Sequence, residues 1–122
     1  MKFIVVDDEE INLMVAKRLL MQVVKVEDIN TFKKAEEALH FLQSYDANEP
    51  VSLFLDLNMP DISGWEFLDL FRRFTDDLKS QVRIYIVSSS IDPADINRAT
   101  LDPNVIAYVS KPLTLSFIKR IF

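Results

Sequence analysis

The chain has 122 residues, 49% hydrophobic and 27% charged, the composition of one folded domain rather than of a disordered segment. It holds no cysteine and a single histidine, His40, which excludes disulfides, thiol catalysis, thiolate metal centres and multi-histidine zinc or haem sites. A net charge of −5 without a basic block predicts no direct nucleic-acid partner, and the absence of a long apolar run or secretory leader predicts no membrane and a cytoplasmic location.

Phe3-Ile4-Val5-Val6 is the first of four short apolar runs, nearly continuous rather than alternating, which predicts strands covered on both faces as in a parallel sheet. Residues 10–24 follow as a helix that is apolar almost all round, broken by Asn12, Lys17-Arg18 and Gln22. A weaker strand within 27–32 is interrupted by polar residues and belongs at or near a sheet edge. Residues 33–45 set Ala35, Ala38, Leu39 and Leu42 at helical spacing with charges opposite. The run at 51–55 is a strand, and 64–74 is a helix with Phe67, Leu68, Phe71 and Phe74 on its apolar stripe. A strand at 84–87 precedes Asp92-Pro93, which opens a helix with an aspartate cap and a first-turn proline. The run at 105–109 is the last strand and 113–122 a short final helix. Five βα units predict an α/β fold, a doubly wound five-stranded parallel sheet with helices on both faces, as one domain over residues 1–122.

The strand ends carry the chemistry. The first run leads into Asp7-Asp8, the third ends in Asp56, the fourth in Ser88 and the fifth in Ser110-Lys111-Pro112. Ligands of open α/β sheets bind beyond the carboxyl ends of the strands, so these groups should share one crevice. Three aspartates packed together repel, and a hard divalent cation relieves the repulsion; an all-oxygen donor set favours magnesium. Lys111 adds a point charge suited to phosphate and Ser88 a hydroxyl donor. Together they describe an aspartyl-phosphate site with a carboxylate nucleophile. Gly64 is the one glycine, which removes every glycine-rich phosphate cradle.

These motifs resemble those of response-regulator receiver domains of two-component signalling, over essentially the whole chain. Val5-Val6-Asp7-Asp8 resembles the family's first strand and acidic pair, and residues 56–64, from Asp56 through Asn58, Met59 and Pro60 to Gly64, its phosphoacceptor loop. Ile86-Val87-Ser88-Ser89 resembles the switch strand and Tyr108-Val109-Ser110-Lys111-Pro112 the terminal lysine-proline with its preceding aromatic. The resemblance implies the flavodoxin-like, CheY-like (βα)5 fold and phosphorylation of Asp56 by a histidine kinase or histidine phosphotransfer protein. It implies a magnesium ion, with manganese as substitute, held directly by Asp8 and Asp56, by Asp7 mostly through water, and by the Asn58 backbone carbonyl. It further implies that Lys111 pairs with Asp56, that the Lys111-Pro112 bond is cis, and that Ser88 and Tyr108 form a switch pair addressing a downstream target protein. The domain would catalyse its own phosphotransfer and dephosphorylation without turning over a separate substrate.

The sequence departs from the family's commonest pattern only slightly: serine replaces threonine at 88, Ser89 takes a place usually held by alanine or glycine, and the last helix is short. No residues remain for an output domain, so the signal passes to a separate protein or the chain is part of a longer one. Two rivals stay open, a magnesium-dependent phosphatase with an aspartate nucleophile, which lacks its general acid because that position is Asn58, and a receiver-like binding module that is not phosphorylated. Trp65 and the phenylalanines are read as packing, His40 as structural or surface, Ser89 and Ser90 as a turn, and Arg72-Arg73 as a solvated pair. Helix 10–24 has more apolar residues than one sheet can cover, so some apolar surface should be left over, and the resemblance implies that this surface meets the phosphoryl donor, with Leu13 or Met14 as the expected docking point.

Overall fold

Strand β1 (Lys2–Val6) lies between β2 (Ile29–Phe32) and β3 (Val51–Leu55), and β4 (Val82–Ser88) and β5 (Val105–Ser110) extend the sheet beyond β3, every pairing parallel. The computed structural model describes residues 1–45 and 49–122. Successive strand residues point to opposite faces. Ile4, Val6, Leu53, Leu55, Ile84 and Ile86 therefore meet one helical layer, and Phe3, Val5, Phe54, Tyr85 and Val87 the other. The first layer is α2 (Ala35–Gln43), α3 (Gly64–Phe71), α4 (Asp76–Gln81) and α5 (Pro93–Leu101); the second is α1 (Glu10–Leu20) and α6 (Leu115–Ile121). This is the expected doubly wound five-stranded parallel sheet. No described helix is long and apolar enough to cross a membrane.

Three expectations change. The apolar run of β5 does not mark a strand buried on both faces: β5 is an edge strand, and Ile106 is 57% exposed. Ile84 pairs with Val105 and Tyr85 with Ala107, so Ile106 is the extra residue of a bulge, a device that blunts an open sheet edge. Helix α1 stops at Leu20 rather than at residue 24, because the Val23 and Val24 N–H groups both turn back to the Leu20 carbonyl, at 3.0 and 2.9 Å, and close the helix as a tight turn. Two helices, not one, separate β3 from β4: helix 64–74 ends at Phe71, and α4 begins where Thr75 caps the Leu78 N–H and two aspartates occupy the first turn. With only Leu78 buried, α4 has too little apolar periodicity to be seen in sequence.

Arg72 is not a merely solvated charge. It reaches Asp69 at 2.6 Å and the buried Asp102 at 2.7 Å, tying the end of α3 to the turn before β5.

Gly64 opens α3 with a negative φ, so it is required for space rather than for backbone freedom. A Cβ there would lie 2.5 Å from the Asp56 carbonyl oxygen and 2.8 Å from Leu57 Cα. Gly64→Ala should therefore push the start of α3 away from the end of β3 and cost about 1–3 kcal/mol, the range for overpacking a tight site. A urea unfolding curve with a lower midpoint and unchanged slope is the expected result.

Candidate functional site at the carboxyl edge of the sheet

The chain leaves β1 toward β2 on one side and returns through β3 on the other, so the strand order reverses between β1 and β3. At that reversal helices leave for opposite faces and a crevice opens. The register pairs Val6 with Leu55, which sets the next residues, Asp7 and Asp56, side by side. Main-chain bonds fix both: the Asp56 N–H donates to Val6 O at 3.0 Å and the Asp7 N–H to Phe32 O at 3.1 Å.

Asp7 and Asp56 are both buried, and Asp8 is half-buried beside them. One carboxylate oxygen from each of the three lies within 4.8 Å of the others, an arrangement that could hold a metal ion. Three hard oxygen donors, with no sulfur or imidazole among them, fit a hard divalent cation. Lys111 crosses from the end of β5 and places Nζ 3.1 Å from Asp7 Oδ2 and 3.4 Å from Asp56 Oδ1. Lys111 thus pairs with Asp56, as the family resemblance implies, and more closely with Asp7. Asp7 Oδ1 also accepts the Glu9 N–H at 2.9 Å, which orients the carboxylate.

Burial, and next the field of Asp7, push the Asp56 carboxyl up to about 6, against the opposing pull of Lys111 and a hydrogen bond from the Asn58 N–H. Burial works against the Lys111 charge, but its bond to Asp7 and the two carboxylate fields prevail and hold it above the usual lysine range. The carboxylates thus sustain the ammonium ion, which only partly offsets the rise at Asp56.

Ser88 is fully buried, and its backbone carbonyl accepts the Lys111 N–H at 2.9 Å, which locks the two strand ends together. Its Oγ accepts the Ser90 N–H at 3.1 Å. Tyr108 is partly buried against the first core layer, and its hydroxyl donates to Ser90 O at 2.7 Å. Asp7, Asp8, Asp56 and Lys111 are therefore brought together, Ser88 ends the neighbouring strand, and Tyr108 reaches the site only through the turn after β4. The Lys111-Pro112 bond is cis. His40 is exposed on α2, and Trp65 carries the Arg98 guanidinium 4.3 Å above its ring. Asp61, exposed in the loop after Asp56, adopts a left-handed φ of 64°, which aspartate tolerates better than most residues.

From sequence, Ser90 is expected in a turn flanking the site, where the family resemblance implies an influence on hydrolysis, and Asp95 has no expected place; the structure joins them through a 2.7 Å hydrogen bond. The only signal was a hydroxyl five residues before a carboxylate at the opening of a helix.

Leu13 is buried and cannot dock a partner, which corrects half of that expectation, whereas Ile11, Met14 and Val15 on the same helix are 73%, 51% and 46% exposed. Val15 also lines, with Ala16, Phe54, Val87, Pro112 and Leu113, an apolar cavity of about 170 Å³ that reaches Asp7, Asp56 and Lys111.

The model of the response regulator receiver domain matches residues 3–121. A response regulator receiver protein from Dyadobacter fermentans is 30% identical, superposes with a TM-score of 0.89, and the match covers 99% of this chain and 94% of that one. A two-component response regulator from Cytophaga hutchinsonii is also 30% identical, with a TM-score of 0.88 and coverage of 98% and 92%. A CheY-like receiver domain protein from Methanospirillum hungatei, 18% identical, shares the fold with a TM-score of 0.77 over 98% of this chain and 89% of its own. No curated protein sequence matches the chain. The sheet order, the acidic crevice and these similarities converge, and the chain belongs to the response regulator receiver domain family of two-component signalling.

Proposed function

We propose that Asp56 is the phosphoacceptor of this receiver and takes its phosphoryl group from a phosphohistidine on a histidine kinase or a histidine phosphotransfer protein in the cytoplasm. The observation that carries this reading is the contact of one ammonium ion, Lys111, with both Asp7 and Asp56 at the strand-order reversal. Asp7, Asp8 and Asp56, with the Asn58 backbone carbonyl, would hold magnesium, or manganese in its place. When bound, the ion offsets negative charge on the phosphoryl oxygens.

An Asp56 carboxylate oxygen attacks phosphorus as the P–N bond of the donor breaks, and the imidazole nitrogen leaves with the bonding pair. Lys111 and the Ser88 hydroxyl meet charge spread over the transferring oxygens, which makes the catalysis positional and electrostatic. Hydrolysis reverses the modification: water attacks phosphorus, the acyl-phosphate P–O bond breaks, and the Asp56 carboxylate returns with release of inorganic phosphate. Phosphorylation replaces a carboxylate of charge −1 by an acyl phosphate of about −1.5 to −2, and this change in charge and size redraws the turn after β4 and the face around Tyr108, which addresses a downstream target protein. The chain acts here as one receiver over residues 1–122, and its turnover is confined to its own phosphoryl group.

Acetyl phosphate with magnesium should add the mass of one phosphoryl group to the wild type and none to Asp56→Asn, read by intact mass. An unmodified wild type would overturn this reading.

Met14→Glu should slow transfer from the phosphohistidine donor at least tenfold, on the order of a lost apolar interface contact, and leave acetyl phosphate labelling unchanged. Equal loss in both assays would place Met14 in the site's own architecture instead.

In chelator, Asp56 binds its proton more tightly folded than unfolded. Its contribution to stability is therefore greatest below about 4, the ordinary aspartate range, and is lost as pH rises through about 6. Asp56→Asn should stabilise the metal-free protein at pH 7 by about 1–2 kcal/mol, allowing for solvent screening, and the gain should vanish toward pH 4. Denaturant midpoints across that range measure it; a gain that persists at pH 4 would show that charge is not its source. Magnesium should narrow the gap at pH 7, since a cation favours the ionised carboxylate.

A further inference from the structure

The turn between β4 and α5 is held by more bonds than its surface position requires. The Ser90 N–H donates to Ser88 Oγ at 3.1 Å, and the Ser90 carbonyl accepts from Tyr108 Oη at 2.7 Å. The Ser90 hydroxyl donates to Asp95 Oδ2 at 2.7 Å and accepts from the Asp92 N–H at 3.3 Å. One residue thus links the hydroxyl at the end of β4, the ring on β5 and the first turn of α5. A serine hydroxyl has a single hydrogen, and Asp95 takes the one that Ser90 owns. The carboxylate makes this a charge-assisted bond, and Asp95 is itself fixed by its N–H on the Asp92 carbonyl at 3.1 Å. A hydroxyl that already accepts a hydrogen bond is a stronger donor through its own hydrogen. The Ser90 N–H therefore both orients Ser88 Oγ and sharpens it toward an anionic oxygen.

We propose that Asp95 is a positioning residue for the phosphoacceptor site: by anchoring Ser90 it sets Ser88 and Tyr108 from the first turn of α5. The inference rests on the reading of Asp56 as phosphoacceptor with Ser88 as a donor to the transferring group. Without the Asp95 carboxylate the Ser90 hydroxyl turns to solvent, the main chain at Ser90 slackens, and Ser88 samples orientations in which its hydrogen misses the phosphoryl oxygens. An asparagine at position 95 keeps an oxygen that can accept the same bond, so geometry rather than charge is the requirement.

The test compares wild type, Asp95→Ala, Asp95→Asn, Ser90→Ala and the Asp95→Ala/Ser90→Ala double variant, each given acetyl phosphate and magnesium, with phosphoryl uptake followed by intact mass. Asp95→Ala and Ser90→Ala should each slow uptake about three- to tenfold, the worth of one good hydrogen bond, and the double variant should be no slower than either. Asp95→Asn should retain the wild-type rate, which a loss of charge or of general stability would not allow. A wild-type rate in Asp95→Ala, additive losses in the double variant, or an asparagine variant as slow as the alanine would each overturn the proposal. A wild type that takes up no phosphoryl group overturns the phosphoacceptor reading instead. Amide exchange then decides the anchoring by itself: the Ser90 N–H should exchange faster in Asp95→Ala but not in Asp95→Asn, and unchanged exchange in both overturns it.

Discussion

One ammonium group shared between two buried carboxylates organises this protein. Asp7 and Asp56 are forced together by the pairing of β1 with β3, and a low-dielectric crevice makes their repulsion costly. Lys111, brought in from the end of β5, offsets that repulsion from 3.1 and 3.4 Å. The compensation is incomplete, since Asp56 still holds its proton up to about 6. An incompletely neutralised carboxylate cluster is suited to a site whose chemistry brings further charge, because its free energy responds to whatever cation or anion arrives next. A crevice neutralised within itself would have little reason to bind anything.

The position of that cluster is a consequence of topology, and topology is what the sequence displays best. The runs at 3–6 and 51–55 are continuous because helices cover both of their faces, and the pattern of five strands separated by helices leaves little choice but a doubly wound sheet. Once the sheet is granted, residues following the strands must converge, and Asp7, Asp8, Asp56 and Lys111 do so. Gly64 was legible as the only glycine, but not its reason, because a close approach to the Asp56 carbonyl is a three-dimensional fact.

What sequence could not give has a common physical origin. Patterns of hydrophobicity report burial averaged over both faces of an element, so the edge strand β5, covered by helices but open along one side, reads like an interior strand. Helix α4 buries a single leucine and so leaves no period to detect. Leu13 and Met14 are adjacent and both apolar, yet one turns inward and the other stays 51% exposed, a difference set by their positions about 100° apart around α1. Hydrogen-bond partners are less legible still. Arg72 finds Asp102, and Ser90 finds Asp95, through contacts whose specificity lies in side-chain direction rather than in residue type.

The same contrast separates the two sides of the first helical layer. Helix α3 is anchored by Gly64, Phe67, Leu68 and Phe71, all buried, whereas α5 buries only Ala99. A buried phenylalanine contributes roughly 1.5–3 kcal/mol and a buried methyl group about 0.8, so burial holds α5 far more weakly than α3. Specific contacts take its place: Ser90 with Asp95 at its first turn, Arg98 over Trp65 along its length, and Asp102 with Arg72 at its end. Interactions of this kind can be exchanged one at a time for about a kilocalorie each, where expelling an aromatic ring from a packed core cannot. Between β4, which ends at the acidic crevice, and the exposed edge of β5, the protein therefore places a helix that buries one alanine and is held by single polar and cation–π contacts rather than by a packed aromatic face.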